Sequence, residues 1–311
     1  MQRTVKQLVV SSALVAASLL LGSATCQSNK SPEEGAGQGA SWEQGRSATW
    51  ELSQQKRLAS ALLSLKPQRP GVIDAYLVVV GLDADPVFGR EAAEAAKVLA
   101  RRYDAVGRTI LLSAGSPTAP NGSPAFLAAS LAAVAAKMNL KEDALVLYTT
   151  SHGGHDVGLA YRDGENGYGL IAPQRMAALL AELKIERRLV MISACYSGQF
   201  VGALAHPDTA IVTAADDDRT SFGCAPGNDW TYFGDALINN ELRKRQPFEK
   251  AAAAATALIS SWEFAEGLTP SKPRLFIGES ARLWLAKLEA RIPPGTTPKV
   301  GRPALESSKV P

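Results

Sequence analysis

The sequence predicts an α/β domain with a mostly parallel sheet covered by helices on both faces. Short apolar runs alternate with helix-length segments along most of the chain, the pattern of strands joined by crossover helices. The runs are continuously apolar rather than alternating, as strands buried on both faces require. With 46% hydrophobic and 20% charged residues over 311 positions, the chain can bury a sizeable core. Its mean hydropathy near zero excludes a polytopic membrane protein.

Three cysteines are too few for a disulfide framework in a chain of this length. Lys and Arg total 33 against 30 Asp and Glu, and two of the basic residues, Arg3 and Lys6, fall in a segment expected to be removed. Nucleic-acid binders carry a basic excess or stripe. None is visible, so no nucleic-acid partner is expected.

Residues 1–26 have the organisation of an export signal: positive Arg3 and Lys6, apolar Leu8 to Leu21, then small Gly22, Ser23 and Ala24. The apolar run falls short of the roughly 20 residues that span a bilayer. Cys26 follows at once and is a candidate for lipidation, which would tether the protein to a membrane. Thr25 and Ser23 make the surrounding lipobox imperfect, and simple cleavage nearby is the alternative. The expected location is exported, periplasmic or associated with the outer membrane and cell envelope. Residues 27–47, rich in Gly, Ser, Gln and Glu, suit a flexible tether.

The domain proper is expected over 48–290. Leu58, Leu62 and Leu65 mark an amphipathic helix in Trp50 to Leu65, ended by Pro67 and Pro70. Strands are predicted at Ala75 to Gly81, Thr109 to Ser113, Ala144 to Thr149, Leu189 to Ser193 and Ala210 to Ala214. Helices are predicted at Arg90 to Arg101, from Ser123-Pro124 to Met138, and at Pro173 to Leu183, Trp230 to Leu242, Phe248 to Glu266 and Ser280 to Ala290. Residues 291–311, heavy in Pro, Gly and Ser, read as a disordered tail.

Catalytic groups in such folds gather outside the carboxyl ends of the strands. There the third predicted strand runs into Ser151-His152-Gly153-Gly154-His155, and the fourth into Ala194-Cys195-Tyr196-Ser197-Gly198. A cysteine thiol, with a free pKa of about 8.5, needs a base or a cationic partner to attack at neutral pH, and a nearby imidazole supplies one. The amides of Gly153 and Cys195 could form an oxyanion hole. The competing reading makes Cys195 a small buried residue and His152 a loop histidine satisfied by the backbone. His152, His155, Asp156 and Cys195 match no closed zinc-site spacing, so neither metal nor cofactor is expected. Ser197 is expected to cap the helix after Cys195, and Cys224 to stay reduced and buried.

The ordered strings YTTSHGGHDVG, MISACYSGQF, AADDDRTSFGC and DWTYFGDA resemble peptidase family C13. This family includes the legumain asparaginyl endopeptidases and the catalytic subunit of the GPI-anchor transamidase, with a bacterial branch. The resemblance spans roughly Tyr76 to Trp262. It implies a caspase-like fold with a mostly parallel six-stranded sheet flanked by helices, one strand more than the apolar runs reveal. It also implies that Cys195 is the nucleophile, His152 the catalytic histidine and Gly153 an oxyanion-hole residue. Arg90 and Asp235 fall where legumains line the pocket for the residue before the cut, and Ser221 lies on a pocket wall. An arginine and a carboxylate together would satisfy the carbonyl and amide of asparagine.

Two departures stand out. Ser193 replaces a glutamate of the legumain pocket, which should weaken discrimination against Asp. Phe88 replaces the asparagine that orients the histidine, which points to a Cys-His dyad with another orienting group, Asp83 being the candidate. The resulting expectation is a cysteine-type endopeptidase acting on peptide or protein substrates after Asn or Asp. The alternatives are a transpeptidase or ligase using the same acyl-enzyme, and a catalytically idle peptide-binding module.

Overall fold

The computed structural model describes residues 41–307. The signal segment, Cys26 and most of the expected tether lie outside the described residues. Ten strands run through the described chain: β1 (Ser41–Glu43), β2 (Ala75–Gly81), β3 (Thr109–Ser113), β4 (Ala144–Thr150), β5 (Gly153–Gly154), β6 (Gly158–Arg162), β7 (Gly167–Ile171), β8 (Arg188–Ser193), β9 (Thr209–Thr213) and β10 (Arg274–Ile277). Six form the main sheet, in the order β10-β9-β8-β4-β2-β3. Every neighbouring pair is parallel except β10 with β9. The fold is therefore α/β with a mostly parallel six-stranded sheet, as expected.

The continuous apolar runs have the predicted cause. On β2, Ala75, Leu77 and Val79 join a core layer with Ala92, Ala95 and Leu99 of helix Pro86–Arg102. Tyr76, Val78 and Val80 point into a second layer with Leu127 and Leu131 of helix Pro124–Lys137. β4 and β8 divide in the same way, Tyr148 and Met191 on one side, Leu147 and Ile192 on the other. Both faces exclude water, so no polar alternation survives.

The missed sixth strand is β10, four residues at an edge with Arg274 and Leu275 exposed; so short a half-exposed run leaves little hydrophobic signal. A second sheet, β1-β7-β6-β5, is antiparallel. It corrects two expectations. The last part of the expected tether is ordered: Trp42 pairs with Tyr168, and Arg46 bonds to Asp163 at 2.5 Å. The stretch between His152 and Pro173, where no strand is predicted, forms three of the four strands.

The Pro- and Gly-rich segment after residue 290 is also docked as far as residue 307. The Val300 carbonyl accepts from Trp230 Nε1 at 2.8 Å, and the Ala304 amide donates to Asp235 Oδ2 at 2.8 Å. Backbone hydrogen bonds to buried side chains order it despite a composition that favours disorder. The helix expected from Trp230 is a π-helix over Gly234–Glu241. Among the described residues, no helix is long and apolar enough to cross a membrane.

Candidate active site

Strand register brings the predicted pair together. Gly81 pairs with Thr150 and Thr150 with Ser193, so β2, β4 and β8 end level. The Ser151 amide donates to the Ser193 carbonyl at 3.1 Å, and the next residues on each strand carry His152 and Cys195 out of the same edge. A Cβ on Gly153 would stand 2.1 Å from the Cys195 carbonyl oxygen. Only glycine allows this backbone-on-backbone approach. Gln199 Nε2 ties the two loops, donating to the Gly154 and Tyr196 carbonyls at 3.0 and 2.8 Å.

Immediately after Cys195 the chain turns sharply. Tyr196 has φ of 55°, a left-handed conformation uncommon for a bulky residue and frequent at functional sites. Its amide donates to the Arg219 carbonyl at 2.7 Å. Ser197 does not cap the following helix as expected. Its Oγ accepts from the Ala215 amide at 3.2 Å, and Gly198 holds the cap position.

The Cys195 sulfur is surrounded by one residue. The Ser221 amide donates to Sγ at 3.3 Å, and the Ser221 hydroxyl and carbonyl oxygens both lie at 3.6 Å. A neutral thiol can donate to that carbonyl, and a thiolate can accept from the amide and the hydroxyl. The arrangement therefore offers hydrogen-bond partners to both the thiol and the thiolate. Cys224 is free and half-buried. Burial pushes its thiol up, with Cys195 adding to the effect, which keeps it a poor nucleophile.

The orienting group for His152 is not the residue expected. Asp85 Oδ2 lies 3.6 Å from His152 Nε2. Asp83, the sequence candidate, is buried and bonded to Arg162 Nε and Nη2 at 3.0 Å each, and it accepts from the Asp85 amide at 2.8 Å. Arg162 also reaches Asp85 at 2.7 Å. Asp83 thus holds the turn and Arg162, and Asp85 faces the imidazole. Phe88 packs edge-on against the ring with centroids 4.9 Å apart. Asp83, Asp85 and His152 lie close enough to share a cation, but the guanidinium of Arg162 already supplies the positive charge between the carboxylates. Asp85 was legible in one respect: it follows β2 at the same sheet edge, just before the proline that opens a helix.

The pocket residues divide. Arg90 lies two residues beyond Phe88, which packs on His152, but its guanidinium is partly engaged: Nη2 donates to the Pro226 carbonyl at 2.7 Å and to that of Asn228, and Nε lies 3.6 Å from Asp229 Oδ1. Its acidic neighbour is therefore Asp229, whose carboxyl is held low by hydrogen bonds from Arg302 and by the charges of Arg302 and Arg90. Asp235 does not join it. Asp235 is buried and accepts from Asn239, Asn240 and the Ala304 amide, and burial pushes its carboxyl up. This corrects the expected Arg90–Asp235 pair: Asp235 anchors the C-terminal segment. Ser193 is buried, with its hydroxyl 3.1 Å from Thr231 Oγ1. Thr231 donates its hydroxyl to Glu91 at 2.8 Å, and Tyr148 donates to the other Glu91 oxygen at 2.7 Å. An acid thus lies behind Ser193, fully buried and saturated; its sequence position on a helix beside Arg90 gave no hint of this.

Comparison with known proteins bears on these residues directly. Residues 128–270 match the model of the Peptidase C13 family. No curated protein matches the sequence. Among solved structures, the crystal structure of Caspase-1 from Spodoptera frugiperda is similar, with 12% identity and a TM-score of 0.45 over 68% of this chain and 92% of that one. The matched segment 128–270 carries both His152 and Cys195.

Proposed function

We propose that the protein is a cysteine endopeptidase that cuts after Asn or Asp through Cys195 and His152. The observation that carries this reading is the convergence at Cys195: the Ser221 amide on its sulfur, Gly153 against its carbonyl, and His152 leaving the adjacent strand. In the first step Sγ bonds to the substrate carbonyl carbon, and the oxyanion is received by the Gly153 and Cys195 amides. The C–N bond then breaks as His152 gives a proton to the leaving amine. Water next attacks the thioester and passes a proton to His152, and the Cys195 thiolate departs. Asp85 is a positioning residue that faces the imidazole and keeps it turned.

Arg90, 41% exposed on its side chain, supports selectivity for a residue bearing a side-chain oxygen. An amine in place of water would convert the same acyl-enzyme into a ligase, and an idle module would hold peptide without a reactive thiol. Export through residues 1–26, with or without acylation of Cys26, belongs to the same proposal. Cleavage of a mixed peptide library tests it. Cuts concentrated after Asn and Asp support the reading, and a profile centred on Lys or Arg before the cut overturns it, because Arg90 repels such side chains.

A further inference from the structure

A cavity of about 540 Å³ opens beside His152, and its lining includes none of Cys195, Ser221 and Arg90. The small antiparallel sheet builds its walls: Trp42 from β1, Ala160 from β6, and Tyr168 and Leu170 from β7. Trp42 and Tyr168 are directly cross-strand, their rings 6.0 Å apart, yet they remain 49% and 38% exposed. Two large aromatic side chains left partly in water at a concave site are typical of a ligand surface. The charges at the base are already matched, with Arg162 bonded to Asp83 and Asp85.

The position of the cavity identifies its occupant. In the peptidase reading the acyl half of a bound peptide lies with Cys195, Ser221 and Arg90. The amine half leaves on the side of His152, which protonates it. A cavity that shares only His152 with this machinery lies along the leaving half. We propose that it is a subsite for a large apolar side chain, such as Leu or Phe, one or two residues beyond the scissile bond, packed against the paired rings of Trp42 and Tyr168. This rests on the peptidase reading above. It also gives the segment before the first helix a role in recognition, because Trp42 reaches the cavity only through the pairing of β1 with β7. An acidic side chain would meet Asp83, and a basic one would have to displace Arg162 from it.

Peptides with a fixed acyl half ending in Asn, and with Ala, Leu, Phe, Asp or Lys at each of the two positions after the cut, test the proposal. The wild-type protein is expected to favour Leu or Phe over Ala about tenfold in kcat/KM at one of those positions, the discrimination typical of a few methylenes in an apolar pocket. Trp42→Ala and Tyr168→Ser should each reduce that preference at least about threefold, read as a ratio within each variant so that a general loss of activity cancels. An Asn aminocoumarin amide has no residue beyond the bond and reports the peptidase reading alone. Failure to cut it overturns that reading and the subsite with it. Cleavage of the amide with a flat profile at both positions, a preference for Asp or Lys, or an apolar preference that survives both substitutions overturns the subsite only.

Discussion

Gly153→Ala tests whether the site depends on the contact between the two strand-end loops. The added Cβ would stand 2.1 Å from the Cys195 carbonyl oxygen and 3.1 Å from its carbon, whereas carbon and oxygen ordinarily approach to about 3.3 Å. Both partners are backbone, so the loops must part by roughly 1 Å, a displacement that costs about a hundredfold in rate when it moves a reacting atom. Overpacking of this kind costs about 1–3 kcal/mol of stability. Alanine keeps the amide, so any loss reports displacement rather than deletion of an oxyanion donor. Gly154→Ala is the internal control, because its Cβ would meet only Val157 Cγ2, at 2.5 Å, the end of a side chain that can turn away. The assay is kcat/KM on a fluorogenic Asn peptide, with a thermal melt to separate activity from stability. The expected result is about a hundredfold loss for Gly153→Ala and less than about threefold for Gly154→Ala. Equal effects of the two substitutions, or full activity in Gly153→Ala, would refute the reasoning.

The remaining expectations separate residues that the sequence grouped together. Asp85→Asn should lower kcat about tenfold with little change in melting temperature, as loss of a group that positions the imidazole does. Asp83→Asn should mainly cost stability, about 2 kcal/mol, less than a fully buried pair because Arg162 is 40% exposed; equal losses of kcat in both variants would contradict the assignment. Asp229→Ala should raise the Asp-to-Asn cleavage ratio about fivefold, since a carboxylate near 4 Å from Arg90 is worth roughly 1 kcal/mol in water. An unchanged ratio in the library profile would count against the pairing. Because burial raises the Asp235 carboxyl, the folded state holds its proton more tightly than the unfolded chain. Its stabilising contribution is thus complete below the unfolded value and falls as pH rises through the raised one. Asp235→Asn should flatten that trend in melting temperature, measured from roughly pH 4 upward, without changing the Asn-to-Asp preference.

Much of this architecture is legible in the sequence because one cause acts on many residues. Burial on two faces writes continuous apolar runs into β2, β4 and β8, and strand ends then locate His152 and Cys195 without any contact information. The less legible parts depend on tertiary pairing. Gly153–Gly154, Gly158 and Gly167 read as loop punctuation, yet these glycines sit in strands that pair with one another and, at the edge, with β1. Motif similarity places Asp235 at the right position but says nothing of its direction, and the π-helix turns its carboxylate to the Ala304 amide. Composition cannot foresee that a Pro-rich segment will find Trp230, Asn239 and Asp235 as anchors. The acid that does stand near Arg90, Asp229, opens the same DWTYFGDA string six positions before Asp235, and the resemblance gives it no role.

The central claim is that Cys195 is the attacking atom and His152 its proton partner. Its most direct test is peptide mapping by mass spectrometry after brief exposure to an Asn-containing, thiol-directed electrophile. The account predicts a single adduct on Cys195, formed more slowly in His152→Ala and absent in Cys195→Ala, with Cys224 unmodified. Labelling of Cys224 in place of Cys195, or undiminished peptide cleavage by Cys195→Ala, would contradict it.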